Sequence, residues 1–250
     1  MTGDSSLSEG ALLIAKLDNE DVDVPGYLQE IQSMGRQIKE IVPADATEEK
    51  KREILHRYLF SELGFHGSRS DYYNRSNSYL NEVIDDREGL PITLAVLYLD
   101  LARRCGMKVE GVGLPGHFMV EQTLPDGKKA YIDVFDKGEV LTREQIEKQI
   151  AATIGEPPRE EHFRPYTVRQ TLVRMLNNLF GAAQDKEENH AMLRYAETLV
   201  TVDPEGPDHR IKRAILRFQA RIIRGTGRCD LGAGQETRGC GPGTSLNRGA

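Results

Sequence analysis

"REGLPITLAVLYLDLARRCG" (residues 87–106) is the stretch whose reading decides the fold. Gly89 supplies a turn, Pro91 suits the first helical position, where an N–H would go unused, and Gly106 suits a C-terminal cap. Between them Ile92, Leu94, Ala95, Val96, Leu97, Leu99, Leu101 and Ala102 cover nearly every side of a helix. A helix that is apolar all round is enclosed on all sides. The segment therefore predicts a central core helix with the other elements arranged about it.

C-terminal to that helix the apolar period falls to two. "HFMVEQ" and "KKAYIDV" flank "PDG", in which proline presets φ and glycine accepts positive φ, so a β-hairpin is expected. With the turn centred near Pro125, His117 lies opposite Asp133 and Glu121 opposite Lys129, while Phe118, Val120, Ile132 and Val134 share the other face. Gly116, in "GLPG", is a turn residue just before His117. Thr142 to Gln145, "TREQ", is a capping box that opens another helix.

N-terminal to the central helix the period is helical. Leu28, Ile31, Met34, Ile38 and Ile41 form one stripe. Thr47 is an expected N-cap for a helix buried through Ile54, Leu55, Tyr58, Leu59 and Leu63, with Gly64 as its stop. A polar aromatic loop, "HGSRSDYYNRSNS", follows. Beyond the Pro-rich "GEPPREEHFRP", three more stripes recur at helical spacing: Val168–Leu179, Met192–Val200 and Ile211–Ile222. Such antiparallel pairs resemble a tetratricopeptide unit, although one and a half pairs make no repeat. The expected organisation is a helical N-terminal part and α+β core over residues 1–155, a helical region over 156–223, and a disordered tail over 224–250. An intact helical pair would continue past Ile223, so a truncated or frame-shifted coding sequence is expected there.

Composition excludes several classes of function. A net charge of -6 argues against nucleic-acid binding, which needs clustered Lys and Arg. No apolar run approaches the ~18–20 residues that span a bilayer, and the first residues lack a basic leader. The three cysteines, Cys105, Cys229 and Cys240, have neither metal-ligand spacing nor a disulfide pattern. These features predict a soluble protein of the cytoplasm that needs no cofactor.

A buried helix after a Gly turn, then a strand with His and a paired strand with Asp, is the layout of a Cys-His-Asp site. A thiol at a helix N-terminus is stabilised as thiolate, the imidazole relays the proton, and the carboxylate fixes its tautomer. At this point the sequence resembles the transglutaminase-like superfamily, specifically its bacterial SirB-type branch. The resemblance is carried by "LGFHGSRSDYYNRSNSYLNEV", "REGLPITLAVLYLDLARRCGMKVEGVGLPGHFMV" and "AYIDVFDKG", and covers most of residues 7–223. It implies an α+β, papain-like core with a central helix against a small antiparallel sheet, followed by helices. It also makes His117 and Asp133 the counterparts of the superfamily's His and Asp.

In thiol-using members the helix starts Gly, any residue, Cys. Here Gly89-Leu90 is followed by Pro91, which has no nucleophile. Cys105 is ~21 Å further along the helix at 1.5 Å per residue, at the end where the dipole disfavours a thiolate. Thr93 lacks an adjacent strong base, and a metal site from His117, Glu121 and Asp133 lacks a fourth ligand. The nucleophile is expected to be absent. His117 and Asp133 remain as a pair, with Asn77, Arg87, Gly89, Pro91 and Gly116 as candidates to line the cleft. Three functions stay open: a non-catalytic regulatory or protein-interaction module, a hydrolase or transferase using His117 and Asp133 without a thiol, and a peptide- or small-molecule-binding protein. The expected partner is another protein or peptide, and no feature of the sequence specifies an oligomeric state.

Overall fold

The computed structural model describes residues 5–72, 74–156 and 158–229. The helices are α1 (Ser5–Ala15), α2 (Val24–Ile41), α3 (Glu48–His56), α4 (Leu80–Asp86), α5 (Pro91–Arg104), α6 (Arg143–Ile154), α7 (Val168–Asp185), α8 (Asn189–Val202) and α9 (Pro207–Cys229). Two short strands, β1 (His66–Gly67) and β2 (Glu88–Gly89), pair in parallel. The main sheet is antiparallel in the order β3 (Val109–Leu114), β4 (His117–Thr123), β5 (Lys129–Asp133) and β6 (Glu139–Leu141). The fold is α+β, with a helical C-terminal region.

The central helix stands where its pattern predicts. Every residue of α5 from Pro91 to Ala102 is buried, and Pro91 is its first residue. Even its acid is enclosed: Asp100 accepts a hydrogen bond from Ser8 Oγ at 2.9 Å and pairs with Arg104 one turn on. One apolar core surrounds α5, drawing Leu12 from α1, Ile38 from α2, Ile84 from α4, and Leu176 and Leu199 from α7 and α8. At ~25 cal/mol per Å² of apolar surface removed from water, this burial is the main stabilising contribution to the fold.

The sheet is covered on both faces. Phe118, Val120, Ile132 and Val134 join the α5 core, while Leu114, Met119, Tyr131 and Leu141 pack with Ile146 and Ile150 of α6. Five consecutive residues of β4, Phe118–Gln122, are therefore buried. β3 carries no period-two signal because Gly111 and Gly113 interrupt it. A Cβ on Gly113 would lie 2.2 Å from the Tyr166 ring, so close packing demands glycine there.

The hairpin register differs by two residues from the sequence expectation. Glu121 faces Tyr131 and Thr123 faces Lys129. The reason is the turn: Gly127 N donates to Leu124 O, and Leu124 N to Lys128 O, which centres the loop on Asp126 instead of Pro125. Gly127 has φ +81°, as a three-residue loop of this kind requires. A shift of two keeps every side chain on its expected face. Thr47 and Thr142 cap α3 and α6 as their spacing predicts, the latter with the full capping box.

The C-terminal region departs from expectation in two ways. Helical backbone continues through Arg224–Cys229, the first part of the segment expected to be disordered. Extending a formed helix adds one backbone hydrogen bond per residue fixed, so it tolerates Gly225 and Gly227. Residues 230–250, the rest of that segment, lie outside the described residues. The third apolar stripe also faces outward: Ile211, Ile215 and Phe218 are 57, 52 and 66% exposed. α9 buries His209 and Leu216 instead. No helix among the described residues is long and apolar enough to cross a membrane.

Candidate active-site remnant around His117 and Asp133

β3 and β4 are joined by Pro115-Gly116, with Gly116 at φ +70° and Leu114 facing His117. Proline then glycine at the two central positions is the type II pattern, and it places His117 at the first residue of β4. Its Nε2 lies 2.7 Å from Oδ2 of Asp133, the last residue of β5. The contact is diagonal across the ladder, within reach of two long side chains. Glu121 and Lys129 meet the same way, at 2.9 Å.

The other oxygen of Asp133 is occupied as well. Oδ1 accepts from the amides of Phe135 at 3.0 Å and Asp136 at 3.3 Å, which folds the chain into the turn that leads to β6. The carboxylate thus holds a fixed position from which it orients the imidazole. Nδ1 of His117 has no hydrogen-bond partner among the described residues. From α7, Arg174 Nη2 donates to Leu114 O at 2.9 Å and His117 O at 2.7 Å, clamping the turn from behind.

The pair borders a cleft of about 330 Å³ lined by Gly116, Met119, Asp136, Glu139, Ile146 and Gln149, among others. Side chains alternate along a strand, so His117 points to the same side of the sheet as Met119, the side covered by α6. Phe118 and Val120 face α5. The cleft around the pair takes lining from α6 and none from α5.

The candidate cleft residues divide accordingly. Gly116 borders the cleft with His117 and Asp133. Asn77 is buried elsewhere, its Nδ2 donating to Asp71 O at 2.7 Å and its carbonyl accepting from Leu90 N at 3.0 Å. Arg87 sits at φ +62° after α4, with its guanidinium over the Phe65 ring and facing Glu30. Gly89 accepts at its carbonyl from Ser68 N, and Pro91 begins α5. These four belong to the start of α5, and the structure does not bring them to His117. Contact between the two regions runs through Phe135. Its ring lies edge-on to His117, 6.4 Å between centroids, and packs so closely on Gly67 that a Cβ there would be 2.4 Å away. Gly67 in turn pairs with Gly89.

The remaining thiol is remote from this chemistry. Cys105 ends α5, and burial pushes its thiol up to about 11. The side chain of Cys229 and all of Cys240 lie outside the described residues. No group of three or more potential metal ligands forms among the described residues.

Sequence reasoning missed Phe135 and Arg174. Phe135 was readable in principle, as the aromatic in the turn just after the Asp. Arg174 had no local signal, because a basic residue on the polar side of an amphipathic helix is ordinary.

The transglutaminase-like superfamily model matches residues 26–177 of this chain. The UPF0162 protein of Xylella fastidiosa (strain 9a5c) is 32% identical over 218 residues, covering 85% of this chain and 77% of that protein. The UPF0162 protein of Vibrio cholerae is 23% identical over 203 residues, with coverages of 80 and 75%. F-box only protein 21 of Homo sapiens is 32% identical over 151 residues, which are 57% of this chain and 23% of that one. No solved structure gives a significant match. Family match and relatives agree with the α+β core: the chain belongs to the transglutaminase-like superfamily and to the UPF0162 family.

Proposed function

We propose that the protein is a non-catalytic, cysteine-less transglutaminase-like module that recognises another protein or peptide, in the regulatory, cytoplasmic setting suggested by its resemblance to the SirB-type branch. The observation that carries this reading is the split site. Pro91 occupies the first position of α5, and the His117–Asp133 pair opens on the opposite side of the sheet, toward α6. A thioester cannot form at proline, and neither Cys105 nor any residue of α5 lines the cleft. The test is a transamidase and amidase assay of the full chain, using glutaminyl peptides and an amine acceptor, with and without iodoacetamide. No turnover is expected in either arm. Turnover abolished by alkylation, and lost in Cys105→Ser, would overturn the reading.

A second reading has one observation in its favour. An imidazole fixed through Nε2, with Nδ1 unpaired at a cleft, is arranged as a base that can activate water or a substrate hydroxyl. Alkylation-resistant hydrolysis that disappears in both His117→Ala and Asp133→Asn would establish this hydrolase or transferase instead. A third reading, small-molecule binding, draws on the Met119, Ile146 and Ile150 floor of the same cleft.

A further inference from the structure

A second and larger cleft lies along α7, about 590 Å³ in volume, lined also by Tyr166 and by Asp203 between α8 and α9. Arg169, Gln170, Arg174 and Asn177 project into it from a single face of α7. Arg169 is exposed and makes no ion pair among the described residues. Arg174 donates through Nη2 to the carbonyls of Leu114 and His117, and its guanidinium lies over the Phe118 ring, 5.6 Å from the centroid. Its Nε and Nη1 have no hydrogen-bond partner among the described residues and are absent from the enclosed unsatisfied atoms, so each keeps some contact with solvent. Lys212 of α9 donates to Asn177 Oδ1 at 3.2 Å, adding a third cation beside the cleft. The one carboxylate at its edge, Asp203, faces His209 at 3.5 Å.

We propose that this cleft binds the oxyanion of a small metabolite, a carboxylate or a phosphate group, through Arg169 and through a remaining N–H of Arg174, and that occupancy is felt at His117. Arg169 can present a fork of parallel donors that matches either anion, whereas both forks of Arg174 include the occupied Nη2, so Arg174 offers the anion a single remaining N–H. The coupling follows from geometry. One guanidinium meets the anion with that N–H while its Nη2 holds the carbonyl of His117, so any adjustment to a ligand moves the turn that positions the imidazole. The same linkage makes a ligand at the His117 cleft alter affinity here by the same factor. The site stands whether or not His117 performs chemistry, and so does not depend on the function proposed above.

The test is an NMR titration of the isotope-labelled full chain with inorganic pyrophosphate, and separately with citrate, following the Arg174 Nε–H and His117 imidazole signals. A saturable shift at both residues is expected with at least one of the two probes, and the tighter probe tells phosphate from carboxylate. Arg169→Ala should weaken binding about tenfold, the effect of removing one charge-assisted contact. Arg174→Lys keeps the charge but loses the rigid planar group that joins the anion contact to the His117 carbonyl, and should abolish the His117 response. Because Arg169 is exposed, Arg169→Glu tests the site even if the Arg174 variant fails to fold; it should eliminate binding with the melting temperature unchanged. Unsaturable shifts spread over surface Lys and Arg, or affinity unchanged in Arg169→Glu, would overturn the proposal. Saturable binding at Arg174 with a silent His117 would overturn the coupling.

Discussion

The start of α5 and the start of β4 are the two places where a thiol enzyme of this superfamily would keep its chemistry, and they differ in kind. At β4 polar groups are linked to one another, with His117 Nε2 on Asp133 and Asp133 on the amides of Phe135 and Asp136. At α5 the position is filled by a proline buried among apolar neighbours, and the residue before it ties its amide to Asn77. One region is an ordered hydrogen-bond network; the other is core. Asp133 serves both functions at once, since the same carboxylate that orients the imidazole also builds the turn after β5.

That difference makes Asp133→Ala the most costly of the relevant substitutions. It strands two backbone amides and an imidazole at a residue 6% exposed, for a loss of roughly 3 kcal/mol measured by urea denaturation. A loss under about 1 kcal/mol would mean that the turn does not depend on the carboxylate.

The next effect concerns a side chain packed between the body of α5 and the turn after β5. His56 shares a 2.9 Å hydrogen bond with Tyr98 of α5, and its Nδ1 would lie 2.6 Å from a Cβ on Gly138, in the turn after β5. Burial, with a smaller contribution from Arg52, lowers its imidazole from 6.5 to about 4. Between those values the unfolded chain binds a proton that the folded chain does not. Stability is therefore whole above about pH 6.5 and falls as pH drops toward 4, by roughly 2 kcal/mol. Comparing urea midpoints at pH 7 and 4.5 for wild type and His56→Gln isolates this contribution, and equal pH dependence in the two proteins would refute it.

His117→Ala should cost less than Asp133→Ala, about 1 kcal/mol, because the side chain is 29% exposed and makes the one bond. In the double-mutant cycle the pair should show a coupling of at least ~0.5 kcal/mol. Purely additive losses would separate two residues that the structure joins. The smallest effect belongs to α5: Pro91→Ala should lower stability by only ~0.5 kcal/mol, through the freer unfolded chain. A loss of several kcal/mol would give Pro91 a packing role comparable to that of Leu97.

Most of the fold could be read from the sequence, because the decisive signals are local. Pro91 and Gly106 bracket α5, Thr142 and Gln145 open α6, and the alternation around "PDG" marks a hairpin. What could not be read depended on partners far away in the chain. The His117–Asp133 contact was legible because a two-residue register error preserves the face. The separation of the pair from Pro91 was not, since it depends on α6 and α5 taking opposite sides of the sheet. Arg174 reaches the site from 57 residues away, and no spacing rule anticipates that.

The outward stripe of α9 has a consequence for handling rather than for folding. Ile211, Ile215 and Phe218 place branched and aromatic carbon in water at one edge of the molecule. Sulfate salts strengthen the tendency of such surface to leave water. The protein should accordingly be retained on phenyl media and salt out early. Phe218→Lys should shorten that retention while leaving the melting temperature in place, because a ring that is already 66% exposed has little further contact to lose.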